Sequence, residues 1–146
     1  MEDAQHRPLG ALADAYVELI QRFDALCGHA RAQEWSVLAH EWPHFVASVD
    51  DRCRLEEEVL LPAYAEQGPA ARALVKQLVE EHAALRQLIT ETSRQIRRRH
   101  MRPVTQELLL DLLREHAALE SQNLDPWIAL DVRDWSLQLR RVPTLP

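Results

Sequence analysis

Hydrophobic residues recur along this chain at steps of three and four, the spacing that lines one face of an α-helix. Leu9, Leu12, Tyr16, Leu19, Ile20, Phe23 and Leu26 form the first stripe. It begins near Pro8, and Gly28 stands where a helix C-terminus favours glycine. The second segment covers roughly Gln33 to Ala65 and is strongest from Phe45 to Leu61. Pro43 inside it predicts a helix start, a kink or a short preceding helix. Gly68-Pro69 then breaks the chain. Leu74, Val75, Leu78, His82, Leu85, Leu88, Ile89 and Ile96 form a third stripe, which ends around Arg97-Arg98-Arg99-His100. A fourth begins after Pro103 with Thr105 as N-cap, and carries Leu108, Leu109, Leu112, Leu113, His116, Leu119 and Leu124. Asp125-Pro126 marks its end or a kink, and Val132 to Leu139, with Trp135, reads as one more short amphipathic piece.

Four helices with short connections predict an all-α fold, an antiparallel up-down-up-down four-helix bundle with a short extra C-terminal helical element. The expected organisation is a single domain over residues 1–146, with the bundle at about 7–126 and the extension at 127–146. Composition agrees. There are only three glycines, and the strong helix formers Leu, Ala, Glu, Gln and Arg dominate. At 146 residues and 47% hydrophobic, the chain can bury a core and is too apolar for a disordered segment. A net charge of −6 gives no general reason to expect nucleic acid. Apolar runs are too short for a membrane span. The opening MEDAQHRPLG has no apolar stretch of the kind a secretory signal needs. A cytoplasmic protein is therefore expected. Two cysteines do not make a disulfide scaffold, and Cys27 and Cys53 read as small core or boundary residues.

The polar residues lying on the apolar stripes carry the chemistry. The second and fourth segments match at an offset of 64, which pairs Leu55 with Leu119, Glu56 with Glu120, Leu60 with Leu124, Pro62 with Pro126, and Arg52 with His116. A looser match at offset 66 pairs Leu12 with Leu78, Leu19 with Leu85, and Tyr16 with His82. The chain reads as a doubled αα-hairpin. Residues at i, i+4 share a helix face, so His116 with Glu120, and Arg52 with Glu56, reach toward one point. Six side chains, Tyr16, Arg52, Glu56, His82, His116 and Glu120, converge by this geometry. Buried Glu and His are costly unless paired or bound to metal. Imidazole plus carboxylate suits non-haem iron, manganese or zinc. Glu57 and Glu58 are expected to be solvated.

The stretch Arg52-Cys-Arg-Leu-Glu-Glu-Glu-Val-Leu-Leu-Pro62 resembles the H-x-x-x-E-E-x-x-L-F-P signature of hemerythrin-like (HHE cation-binding) domains. His116-Ala-Ala-Leu-Glu120 with Asn123-Leu-Asp-Pro-Trp127 does so too, as do Leu12-Ala-Asp-Ala-Tyr16 and Glu81-His82 with Leu85. The resemblance reaches to about Ile128. It implies a di-iron centre of four histidines and two carboxylates, in proteins that bind oxygen or sense oxygen, nitric oxide or iron. Here Tyr16 and Arg52 stand where two of those histidines are expected, both serving the same iron by analogy. That leaves His82, His116, Glu56 and Glu120 for one metal. The expected cofactor is one iron ion per chain, with zinc or manganese as alternatives, and a small diatomic molecule as a further partner. Arg52, an always-charged guanidinium, replaces the second cation. The rival reading is a metal-free salt-bridge cluster in an interaction module, and a single-iron oxygen-activating enzyme comes third.

Other signals are weaker. His40 and His44 also stand at i, i+4, but Pro43 between them disturbs the helix that spacing needs, so His44 is a minor metal candidate. Arg97 to Arg99 with Arg102 fit the cation preference of a helix C-terminus. Trp35, Trp42, Trp127 and Trp135 read either as packing of the tail over one bundle end or as a homodimer surface. The ferritin-type Glu-x-x-His is absent, because Val79 and Leu113 precede His82 and His116 by three residues. No phosphate loop or nucleophile signature is found, so no catalytic residue is expected.

Overall fold

The computed structural model describes residues 11–131, and every regular element among them is helical. The long helices are α1 (Ala11–Arg31), α2 (Trp35–Leu55), α4 (Pro69–Arg97) and α5 (Pro103–Leu130). A single π-helical turn, Glu56–Leu60, runs from α2 into the short α3 (Leu61–Ala65) without a loop. α2, the π turn and α3 therefore act as the second rod of the bundle. α1 packs chiefly on α5 and α2, and α4 on α5 and on the second rod through α3 and α2, so the four rods close a ring. The expected helix start near Pro8 and the extra C-terminal element with Trp135 lie outside the described residues. Among the described residues no helix is long and apolar enough to cross a membrane.

Several helix ends differ from the sequence reading, each for a local reason. α1 runs through Gly28 to Arg31. It is stopped by Gln33, whose φ of 58° lies in the left-handed region. The Gln33 N–H donates to the Ala30 carbonyl (3.0 Å) and the Glu34 N–H to the His29 carbonyl (2.9 Å), the paired bonds of a Schellman motif. α4 ends the same way at Arg99 (φ 53°), with His100 N–H on the Gln95 carbonyl at 3.0 Å. Neither stop carries the glycine that would have announced it.

Thr105 is not an N-cap. Pro103 occupies the start of α5 and Arg102 the cap, in extended conformation. The buried Gln95 amide instead donates to the Thr105 hydroxyl (2.9 Å), while its carbonyl oxygen accepts the Arg102 N–H (2.8 Å). α2 continues through Pro43 and α5 through Pro126 to Leu130. Both prolines are exposed, so water can take up the carbonyl that each leaves without an N–H. Gly68 breaks the chain as expected, with φ of 136°.

Gly28 supplies a prediction. A Cβ there would meet only Arg31 Nη2, at an ordinary 3.7 Å. Glycine within a helix costs roughly 0.5–1 kcal/mol relative to alanine. Gly28→Ala should raise the thermal midpoint by about 2–4 °C. A thermal melt showing no gain would mean that α1 does not run through this position in solution.

The apolar stripes gather into two clusters. One contains Phe23, Leu38, Trp42, Phe45, Leu85, Leu109 and Leu113. The other contains Leu60, Leu61, Leu78, Leu124 and Ile128. Trp42 belongs to the core rather than to an end cover, stacked near Phe23 and Phe45, with its indole N–H on Ser93 Oγ at 2.9 Å. Trp127 meets Tyr64 edge-on at 5.2 Å. Leu108, expected on the inward stripe, is 53% exposed. Cys27 and Cys53 are buried free thiols. The polar residues picked from the stripes lie along the rods between the two clusters.

Candidate metal centre

Each long rod contributes to one buried polar layer. α1 supplies Tyr16, α2 Arg52, the π turn Glu56, α4 His82, and α5 His116 and Glu120. Tyr16, Glu56, His82, His116 and Glu120 are fully buried and Arg52 nearly so. All six sequence-selected residues are therefore inside the bundle, but they are not equally joined.

Three atoms form the centre. His82 Nε2 lies 2.7 Å from Glu56 Oε2, His116 Nε2 lies 3.4 Å from the same oxygen, and the two imidazole nitrogens are 3.1 Å apart. Behind His82, Nδ1 donates to Glu57 Oε1 at 2.8 Å. A carboxylate only accepts, so the Glu57 contact calls for a proton on Nδ1, and a cation in the layer would then meet the Nε2 lone pair. His116 Nδ1 faces Glu81 Oε2 more loosely, at 3.6 Å. Lone-pair atoms brought this close need a shared positive charge between them, a proton or a metal ion. Glu56, His82 and His116 form a group whose ligand atoms all lie within 4.8 Å of one another.

Glu120 stands beside this triad. Its Oε1 is 3.3 Å from His116 Nε2, yet neither carboxyl oxygen has a hydrogen-bond partner, and neither does Glu56 Oε1. Burial, then the Glu56 charge, pushes the Glu120 carboxyl well above the usual carboxylate range. Burial would raise Glu56 as well, but its neighbours Glu120, His116 and His82, and the Arg52 charge, hold it well below that range. For His116, burial is outweighed by the carboxylates Glu120, Glu56 and Glu81, and its pKa is pushed up to about 11. These shifts favour the charged forms of Glu56 and His116 and the neutral form of Glu120.

Arg52 and Tyr16 form the other half. Arg52 Nε is 3.4 Å from Glu56 Oε1, an ion pair without a hydrogen bond, and Nε and Nη2 are left without partners. Arg52 reaches Glu56 but does not form the fork to both Glu56 and Glu120 that would favour a metal-free salt-bridge cluster. Tyr16 donates its hydroxyl to Glu56 Oε2 at 3.3 Å. Burial, reinforced by Glu56 and Glu120, raises the phenol well above its ordinary value, so Tyr16 is a donor rather than a phenolate.

The donor set fits a cation. Nitrogen and oxygen ligands held at about 2.0–2.1 Å from one ion stand about 3.0–3.4 Å from each other. The observed 2.7, 3.1 and 3.4 Å bracket that range. Beside this group, Glu120 Oε1 lies 3.3 Å from His116 Nε2. The sequence profile of the hemerythrin HHE cation binding domain matches residues 2–128, nearly the whole chain. The chain belongs to the hemerythrin family. No curated protein and no solved structure gives a significant match. In this hemerythrin domain the family's metal chemistry has a buried Glu/His/His group to act on.

Two expectations need correction. Glu57 is not solvated: it is only 27% exposed and bonded to both His82 and Arg86. His44 is exposed, with its ring against His40 at 5.7 Å, and does not join the centre. Sequence reasoning missed Glu57, Glu81 and Arg86, all of which back the two imidazoles. The one available signal was the pairing of Glu81 with His82 in the family-like stretch.

Proposed function

We propose that this hemerythrin domain holds a single metal ion of the non-haem iron type on His82, His116 and Glu56, with Glu120 as the fourth donor. The observation that carries the reading is the convergence of two Nε2 atoms and one carboxylate oxygen within 2.7–3.4 Å, fully buried. Tyr16 and Arg52 replace two histidines of the family pattern, and the fixed charge of Arg52 stands in for a second cation. The four rods run up-down-up-down, so that the imidazoles come from one hairpin and Glu56 from the other.

When bound, the ion supplies a Lewis-acidic centre able to take a small diatomic molecule. Glu57 and Glu81 hold the imidazole rings, Tyr16 holds Glu56 through its hydroxyl, and the two apolar clusters exclude water. Oxygen, nitric oxide or metal sensing or handling in the cytoplasm is the role we favour over catalysis. Reversible carriage of oxygen as peroxide needs two irons and is disfavoured. The Arg52–Glu56 ion pair favours a second reading, a metal-free hemerythrin-fold interaction module.

Metal content separates them. Protein produced with iron, zinc and manganese available should carry about one ion per chain, as plasma emission would read it, and His82→Ala and His116→Ala should each lose it. A folded chain without metal would support the interaction module. About two ions per wild-type chain would refute the role given to Arg52.

A further inference from the structure

Resting on the metal-site reading above, we infer that Glu57 is a positioning residue for His82, fixed in turn by Arg86, and that this surface-reaching pair sets how tightly the centre holds a divalent cation. His82 is gripped on both ring nitrogens by consecutive residues, Glu56 on Nε2 at 2.7 Å and Glu57 on Nδ1 at 2.8 Å. Neighbouring residues of an α-helix point about 100° apart. The wider π turn that begins at Glu56 brings the two carboxylates onto one imidazole.

Glu57 does not depend on His82 alone for its place. Arg86 Nη1 donates to Oε1 at 3.0 Å and Nη2 to Oε2 at 3.3 Å, a planar fork that fixes the carboxylate plane. Arg86 is steadied by Asp50, 3.7 Å from its Nε. The chain His82–Glu57–Arg86–Asp50 thus leads from a fully buried ligand to half-exposed side chains. His116 has no equivalent, since its Nδ1 lies 3.6 Å from Glu81 and makes no hydrogen bond. A carboxylate behind a ligating imidazole fixes the ring and makes the inward nitrogen a stronger donor. The two histidines are therefore unequal, and the better-held one is controlled by residues that solvent can reach.

The test is a set of dissociation constants for Zn2+ and Co2+, measured by chelator competition on the full chain. Glu57→Ala should weaken binding about 10–100-fold, and Glu57→Gln, which keeps an acceptor oxygen without the charge, by less. Arg86→Met should weaken it by less than Glu57→Ala, and Glu57→Ala/Arg86→Met should be no weaker than Glu57→Ala alone, because Arg86 acts through Glu57. Glu58→Ala, an exposed neighbour, should leave binding unchanged. The visible Co2+ bands should shift in Glu57→Gln while the metal-free thermal midpoint stays put, which a merely structural role would not produce.

If wild type binds and both Glu57 variants stay within about twofold of it, the inference is overturned and the metal centre stands. Full additivity of Glu57 and Arg86 overturns the claim that Arg86 works through Glu57. A wild-type chain that binds neither ion overturns the centre and this inference together. Should Glu57→Ala fail to fold, Glu57→Gln carries the same comparison.

Discussion

Arg52→Leu should destabilise the metal-free protein by about 3 kcal/mol and at the same time strengthen metal binding. Removing one partner of a buried ion pair costs roughly 3–5 kcal/mol, because the remaining charge loses its compensation. Arg52 is 2% exposed and Glu56 fully buried, so the pair lies within that regime. Two observations place the cost at the lower edge. Glu56 keeps His82, His116 and Tyr16 as partners. The Arg52 guanidinium is itself poorly satisfied, with Nε and Nη2 unpartnered, so its removal also relieves a desolvated cation.

The metal effect has the opposite sign. A divalent ion at the imidazole nitrogens would feel the repulsion of a fixed cation paired to its own carboxylate ligand. Without Arg52 that repulsion disappears and Glu56 is free to serve the ion alone. Thermal melts with and without Zn2+ check both halves: the metal-free midpoint should fall, and the added metal should restore more stability than it gives to wild type. A variant as stable as wild type without metal would show that Arg52 compensates nothing.

Tyr16→His combined with Arg52→His should raise the metal content from about one ion per chain to about two. On the proposed reading these two positions form the half of the layer that lacks nitrogen donors, while both carboxylates remain. Tyr16 already reaches Glu56 with its hydroxyl at 3.3 Å, and its ring lies 4.9 Å from that of His116. Arg52 enters the layer one turn before Glu56. Histidine at both places would supply two imidazoles to the unpartnered oxygens of Glu56 and Glu120. Plasma emission gives the stoichiometry directly. A content that stays at one would mean the second half is shaped for Tyr and Arg beyond their chemistry.

The apolar periodicity and the internal repeat made the rods and their inward polar residues legible. Glu56 was separable from Glu57 and Glu58 only because the offset of 64 tied it to Glu120 and Pro62 to Pro126. What stayed hidden depended on departures from regular helix. The π turn leaves no mark in the residue pattern, yet it is what brings Glu57 inward, so a solvated Glu57 was the natural misreading. Glycine favours a helix end, so the residue pattern points to Gly28, while the chain turns at Gln33 and Arg99, whose side chains give no such hint. Leu108 fell on a stripe by spacing alone and faces water. Leu109 and Leu113, both fully buried, carry the inward face.

The Gln95 amide has a consequence for how the chain tolerates changes in length. It ties α4 to Thr105 and Arg102 at the turn between the two histidine-bearing helices. His82 lies thirteen residues before Gln95 and His116 eleven after Thr105, so the ring-to-ring match is set at one pinned hinge a few helical turns away. One residue inserted between 98 and 102 must break that pin, and α5 would then be free to slide and turn, separating the two nitrogens. The connection at 66–68 carries no such side-chain pin, its hydrogen bonds being backbone turns alone. Insertions should be absorbed there, which makes it the natural point for attaching a reporter without disturbing the centre.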